Sequence, residues 1–144
     1  LANLQKSPFS RTSAHFAKLM GQLRWPIKGH IVAHFGDKIE HSELTWSGVL
    51  INTSEPAPVH TIAAGQVVFS HWLLGYGLLI IINHGNGYMS LYGRNHSLAH
   101  KVGDLVKRNE VIASVSKSGG YGEPGLYFSI RRNATPLDPA FWCH

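Results

Sequence analysis

Seven short runs rich in β-branched and aromatic residues dominate the chain: Ile31 to Phe35, Trp46 to Asn52, Gln66 to Trp72, Leu78 to Asn83, Tyr88 to Arg94, Val111 to Val115 and Leu126 to Arg131. No helix of useful length separates them, so the pattern predicts an all-β, antiparallel sandwich or barrel-like fold. Asn83-His84-Gly85-Asn86-Gly87 reads as a tight hairpin turn, because Asn and Gly accept positive φ at little cost. Ahead of the strands, Phe16, Leu19, Met20 and Leu23 recur at helical spacing behind a Ser13 cap. They predict one short amphipathic helix. The expected division is a lead-in over residues 1–23 and a β domain over residues 24–144.

At 144 residues the chain suits one domain with its own core. Its longest apolar stretch, Trp72 to Ile82, is eleven residues long and holds two glycines. A bilayer crossing takes about 20, so membrane insertion is not expected. The net charge of +5 suits an anionic partner. Apart from Lys107-Arg108 and Arg131-Arg132 the cations are scattered, without the aromatic-and-basic motif of an RNA-binding sheet or a basic helix. Nucleic acid is therefore not an expected partner. Cys143, the one cysteine, makes no internal disulfide, and Cys-x-x-Cys is absent. The chain opens at Leu1 without a charged-then-apolar leader, which reads as a piece excised from something longer.

Ten histidines raise the question of a metal. Zinc takes three or four convergent ligands, commonly two from one short motif. There is no His-x-His, and His30/His34 and His96/His100 fall in strand or loop, where a spacing of four means a separation of about 13 Å. The few carboxylates sit mostly in turns, no Gly-x-Ser-x-Gly occurs, and Cys143 stands next to the last residue. Spacing alone assembles no active site.

The order of the segments says more. Arg24-Trp25-Pro26-Ile27-Lys28-Gly29, Trp46-Ser47-Gly48-Val49-Leu50, Ala64-Gly65-Gln66-Val67-Val68, Gly75-Tyr76-Gly77, Asn83-His84-Gly85-Asn86-Gly87-Tyr88, Leu91-Tyr92-Gly93, Val102-Gly103-Asp104-Leu105-Val106 and Leu126-Tyr127-Phe128 stand in the order found in LytM/lysostaphin-type domains. Residues 24–142 resemble that family, which implies its duplicated hybrid β-fold. Active members carry His-x-Gly-x-Asp as zinc ligands; here Trp46-Ser47-Gly48-Val49-Leu50 stands in that place. The family's catalytic His after Tyr-Ala is matched by Arg94 after Tyr92-Gly93, and its His-Leu-His by Gly125-Leu126-Tyr127. The resemblance therefore implies a degenerate peptidase with no zinc, no cofactor and no catalytic residues. His84 matches a histidine that the family uses structurally.

Gly21-x-Leu23-x-Trp25-Pro26, Trp72-Leu73-x-Gly75-Tyr76-Gly77, Met89-Ser90-Leu91-Tyr92-Gly93, Ser118-Gly119-Gly120 and Ile130-Arg131-Arg132 further resemble the EnvC-type amidase activators. These stimulate N-acetylmuramoyl-L-alanine amidases during septal peptidoglycan splitting in the Gram-negative periplasm. Such a domain is expected to grip an amidase helix in the vestigial active-site groove. Trp46, Leu50, Tyr76, Leu79, Tyr92 and Tyr127 would supply buried area, with Arg94 and Arg131 giving charge selectivity. Contacts with peptidoglycan and the division machinery would run through regions outside this chain. Two other readings are a peptidoglycan-binding scaffold module and a zinc endopeptidase with unconventional ligands such as His30, His34 and His84.

Overall fold

A computed structural model describes residues 15–116 and 125–144. The Ser13 cap and Ser118-Gly119-Gly120 lie outside the described residues. The strands are β1 (His30–Ala33), β2 (Val49–Asn52), β3 (Ala57–His60), β4 (Gly65–Leu73), β5 (Gly77–Gly85), β6 (Tyr88–Asn95), β7 (Ser97–Leu98), β8 (Leu105–Val106), β9 (Val111–Val115), β10 (Gly125–Arg132) and β11 (Thr135–Leu137). One large sheet runs β1-β2-β10-β6-β5-β4-β8, with β11 beside β10, and a small sheet runs β3-β9-β7. All ladders are antiparallel.

The core lies between the two sheets, as side-chain alternation requires. Val49 and Ile51 of β2, Leu126, Phe128 and Ile130 of β10, Ile80 and Ile82 of β5 and Tyr92 of β6 pack with Val59, Ile112, Ala113 and Val115 of the small sheet. β10 is buried on both faces from Leu126 to Ile130, because something also covers its outer side. That cover is the candidate site.

The expected helix is one 3-10 turn, Phe16–Leu19. Its Phe16 ring stacks on His84 at 4.5 Å and on Trp142 at 5.0 Å. Leu23 bridges to Cys143, and both Phe16 and Leu23 belong to the main core cluster. From Phe16 onward the lead-in thus packs into the β domain. Burial pushes the Cys143 thiol up to about 12, which leaves it protonated and unreactive.

A buried chain of hydrogen bonds ties β5 and β6 to the segment between β3 and β4. His84 Nδ1 donates to the Ala64 carbonyl at 2.8 Å, since a carbonyl can only accept. Its Nε2 then accepts from Ser90 Oγ at 2.7 Å, Ser90 accepts from the Tyr92 hydroxyl at 2.8 Å, and Tyr92 accepts from the Ile62 amide at 3.0 Å. Burial lowers the His84 pKa to about 4, against the opposing effect of the Ala64 hydrogen bond. Burial likewise pushes the Tyr92 phenol up to about 12, its hydrogen bonds working the other way.

Two outcomes are expected. The unfolded chain takes up a proton on His84 below about 6.5 while the fold resists until about 4. Stability should therefore fall as pH drops through that window, by at most about 3 kcal/mol from this group; urea titrations across pH read the slope, and His84→Gln should flatten it. Tyr92→Phe strands the buried Ile62 amide and should cost about 1–3 kcal/mol in the same assay.

Candidate functional site

The outer face of β10 carries Tyr127, Ser129 and Arg131, and the segment leading into β2 lies over it. Residues 37–46 form a small hairpin: Ile39 N donates to Leu44 O at 2.9 Å, Trp46 N to Asp37 O at 2.8 Å, and Lys38 bridges to Thr45. Gly48 then passes so close to β10 that a Cβ there would run into the Phe128 carbonyl oxygen. This close approach sets Trp46 and Ser47 above Tyr127.

Four sequence-expected residues meet here. The Tyr127 ring centroid lies 6.4 Å from Trp46 and 5.6 Å, edge-on, from Tyr76 in the β4–β5 turn. The Arg94 guanidinium sits 5.8 Å from the Trp46 ring centroid, a cation–π distance. With Ile39, Thr45, Ser47 and Gly75 these four line an open hollow of about 160 Å³. The Arg94 backbone is in the left-handed region (φ 64°), and its amide donates to Tyr76 O at 2.7 Å. That turn of the chain sends Arg94 out of the strand's alternation and into the hollow.

Arg131 borders this group. Its Nη2 donates to Tyr127 Oη at 3.3 Å and Ser47 Oγ at 3.4 Å, and its Nε to Ser129 Oγ at 3.2 Å. Ser47 and Tyr127 hydroxyls also bond each other at 2.7 Å. Partial burial works against the Arg131 charge, but hydrogen bonds to the Tyr127 and Tyr76 hydroxyls outweigh it and raise the pKa. The charge is fixed across the accessible pH range.

Leu50 is the register partner of Tyr127 on β2, half-buried and outside the hollow's lining. Two expectations need correction. Tyr92 is completely buried and packs 5.4 Å from Phe128 in the core. Its pairing with Phe128, while Tyr127 pairs with Gly93, puts it on the face opposite Tyr127. Strict alternation would put Arg94 on the same inner face as Tyr92; the left-handed backbone of Arg94 turns it to the other side. Leu79 is 1% exposed and lines no part of the hollow. Ser47 was the residue that sequence reasoning overlooked; its place in Trp46-Ser47-Gly48 was the available signal.

The donors present do not fit a zinc ion. Trp46, Leu50 and Tyr127 occupy the positions that the resemblance gives to ligands, and the Tyr127 hydroxyl is engaged by Ser47 and Arg131. Two guanidinium groups stand within reach. Among the described residues no three His, Cys, Asp or Glu side chains are grouped to hold a metal. The unconventional ligand His84 has both ring nitrogens committed, and His100 is held by Asp104 at 3.0 Å and Glu110 at 2.8 Å.

Residues 44–139 match the model of peptidase family M23, and the chain belongs to that family. It is 43% identical over 96% of its length to the murein hydrolase activator EnvC of Escherichia coli, of which it spans 32%. It is 34% identical over 83% of its length to a lipoprotein NlpD/LppB homologue of Pseudomonas aeruginosa, spanning 39% of that protein. The chain thus covers about a third of the length of these relatives. Among solved structures, Helicobacter pylori Csd3 matches 85% of the chain and 34% of its own at a TM-score of 0.73 and 25% identity. Lysostaphin from Staphylococcus simulans matches 78% and 48% at 0.67 and 25%. The antiparallel β architecture is that of this family.

Titrating the purified domain with zinc is expected to give no saturable one-to-one uptake at the hollow. Calorimetry, with Tyr127→Ala as the comparison, reads this directly; one tight equivalent lost in the variant would contradict the ligand reading.

Proposed function

We propose that this domain is a non-catalytic activator of periplasmic N-acetylmuramoyl-L-alanine amidases in septal peptidoglycan splitting. The hollow around Tyr127 receives an amidase helix. The reading rests above all on one observation: aromatic rings and two arginines gather at the positions to which the sequence resemblance assigns the family's zinc site. The likeness to proteins named murein hydrolase activators supports it, as does the lipoprotein among them for an envelope location. No helix of the described residues is long and apolar enough to cross a membrane.

Trp46 and Tyr76 offer partly exposed aromatic surface, while Arg94 and Arg131 select for an acidic residue on the incoming helix. Activation follows from binding the amidase's regulatory helix more tightly when displaced than when it blocks the amidase site. A preference of about 1.4 kcal/mol changes the open-to-closed ratio tenfold.

The test is saturable stimulation of a cognate amidase on purified sacculi. Stimulation should fall at least tenfold with Arg131→Glu or Trp46→Ala while thermal unfolding stays cooperative. Full stimulation by both variants would sink the proposal. Sedimentation with sacculi without any stimulation would favour the scaffold reading.

A further inference from the structure

We infer that a second docking surface, a cation-rimmed apolar trough around Trp25, receives an acidic peptide segment of a partner protein. It is independent of the activator reading, because it lies on the other side of the large sheet. Ile51 and Phe128 face the core side, whereas Leu50 and Tyr127 lie on the outer face, where Tyr127 lines the hollow. Trp25 stands edge-on to Phe128 at 6.2 Å, with part of its ring open to solvent.

Two adjoining depressions of about 680 and 470 Å³ share Arg24, Trp25, Ile27 and Lys28 as walls and floor. Each is several times the size of the hollow at Tyr127. One continues over Ile31 and Ile51 to His144, the other past Pro58 to His60. β1, which forms part of the rim, pairs only with β2 among the described strands, so its outer edge is open to an extended chain.

Charge names the occupant. Arg24 and Lys28 are exposed, and among the described residues no carboxylate side chain lines either depression. The Arg108 guanidinium, donating to Gln22 O at 2.8 Å, adds a further cation close by. Asp104 and Glu110 are engaged with His100, and Glu43 with Lys38. A second copy of the chain brings another +5. Residues 1–14 bring Lys6 and Arg11 and no carboxylate. Both are therefore repelled. A glycan would be met by few of the amide and carboxylate groups that hold hydroxyls, since among the described lining residues Asn109 alone carries an amide side chain and none carries a carboxylate side chain. Apolar side chains on the floor with carboxylates against Arg24 and Lys28 satisfy both the floor and the rim.

The experiment titrates the nitrogen-15-labelled chain with a synthetic peptide of alternating Leu and Glu, its Leu and Lys counterpart, and soluble peptidoglycan fragments. The acidic peptide should shift the amides from Trp25 to Ile31 saturably, and the basic one should not. Added salt should weaken the effect. Arg24→Glu combined with Lys28→Glu should weaken binding at least tenfold at an unchanged melting temperature, whereas Arg131→Glu should leave it intact. Shifts caused by peptidoglycan fragments and not by the acidic peptide would overturn the inference. So would peptide shifts centred on Trp46 and Tyr127, indifference to the charge reversal, or no shift at all.

Discussion

The buried relay from Ala64 through His84, Ser90 and Tyr92 to Ile62 decides how this small domain can be arranged. Each polar group has a partner, so each can be dry, and the aromatic rings of Phe16 and Phe128 can close over them. Reverse the tautomer and the Nδ1 lone pair faces the Ala64 carbonyl; charge the imidazole and the Ser90 hydroxyl must turn its proton away from Nε2. The relay holds β5 and β6 against the Thr61–Ala64 segment, and that grip fixes the sheet on which both surfaces are displayed. A polar chain placed here specifies one packing where an all-aliphatic interior would tolerate several.

β10 carries the consequence outward. Its inner residues fill the core and its outer residues form the base of the hollow, so the packing of the core sets where that base lies. Tyr127 connects the hairpin of residues 37–46, the β4–β5 turn and Arg131 through ring contacts and hydrogen bonds. Where a hydrolase of this architecture would keep an ion and its ligands, this chain keeps a phenol between a hydroxyl and a guanidinium. The outer face of β10 thus presents aromatic rings beside fixed positive charge.

All seven sequence runs fall on strands, because period-two alternation and glycine turns are local signals. The short strands β3, β7, β8 and β11 escaped notice, since two to four residues leave no period to read. The run beginning at Trp46 extends three residues ahead of the strand: the sheet starts at Val49, Trp46 closes the small hairpin, and Ser47 and Gly48 lead from it into β2. In the site, Trp46, Tyr76, Arg94 and Tyr127 were legible from the order of motifs. Tyr92 belongs to the core because its register partner is Phe128, and only Arg94, left-handed, leaves the alternation to reach the hollow. No one-dimensional pattern announces such a residue when it is neither Gly nor Asn. Leu79 sits among apolar neighbours, and only the packed sheets decide that it is covered.

The position of Arg131 also bears on ancestry. A descendant that regained only Trp46→His, Leu50→Asp and Tyr127→His would set a divalent cation beside a permanent positive charge left without its phenol. Electrostatics would oppose the metal even with all three ligands in place. The guanidinium would therefore oppose a cation at this place whether or not imidazoles stood beside it.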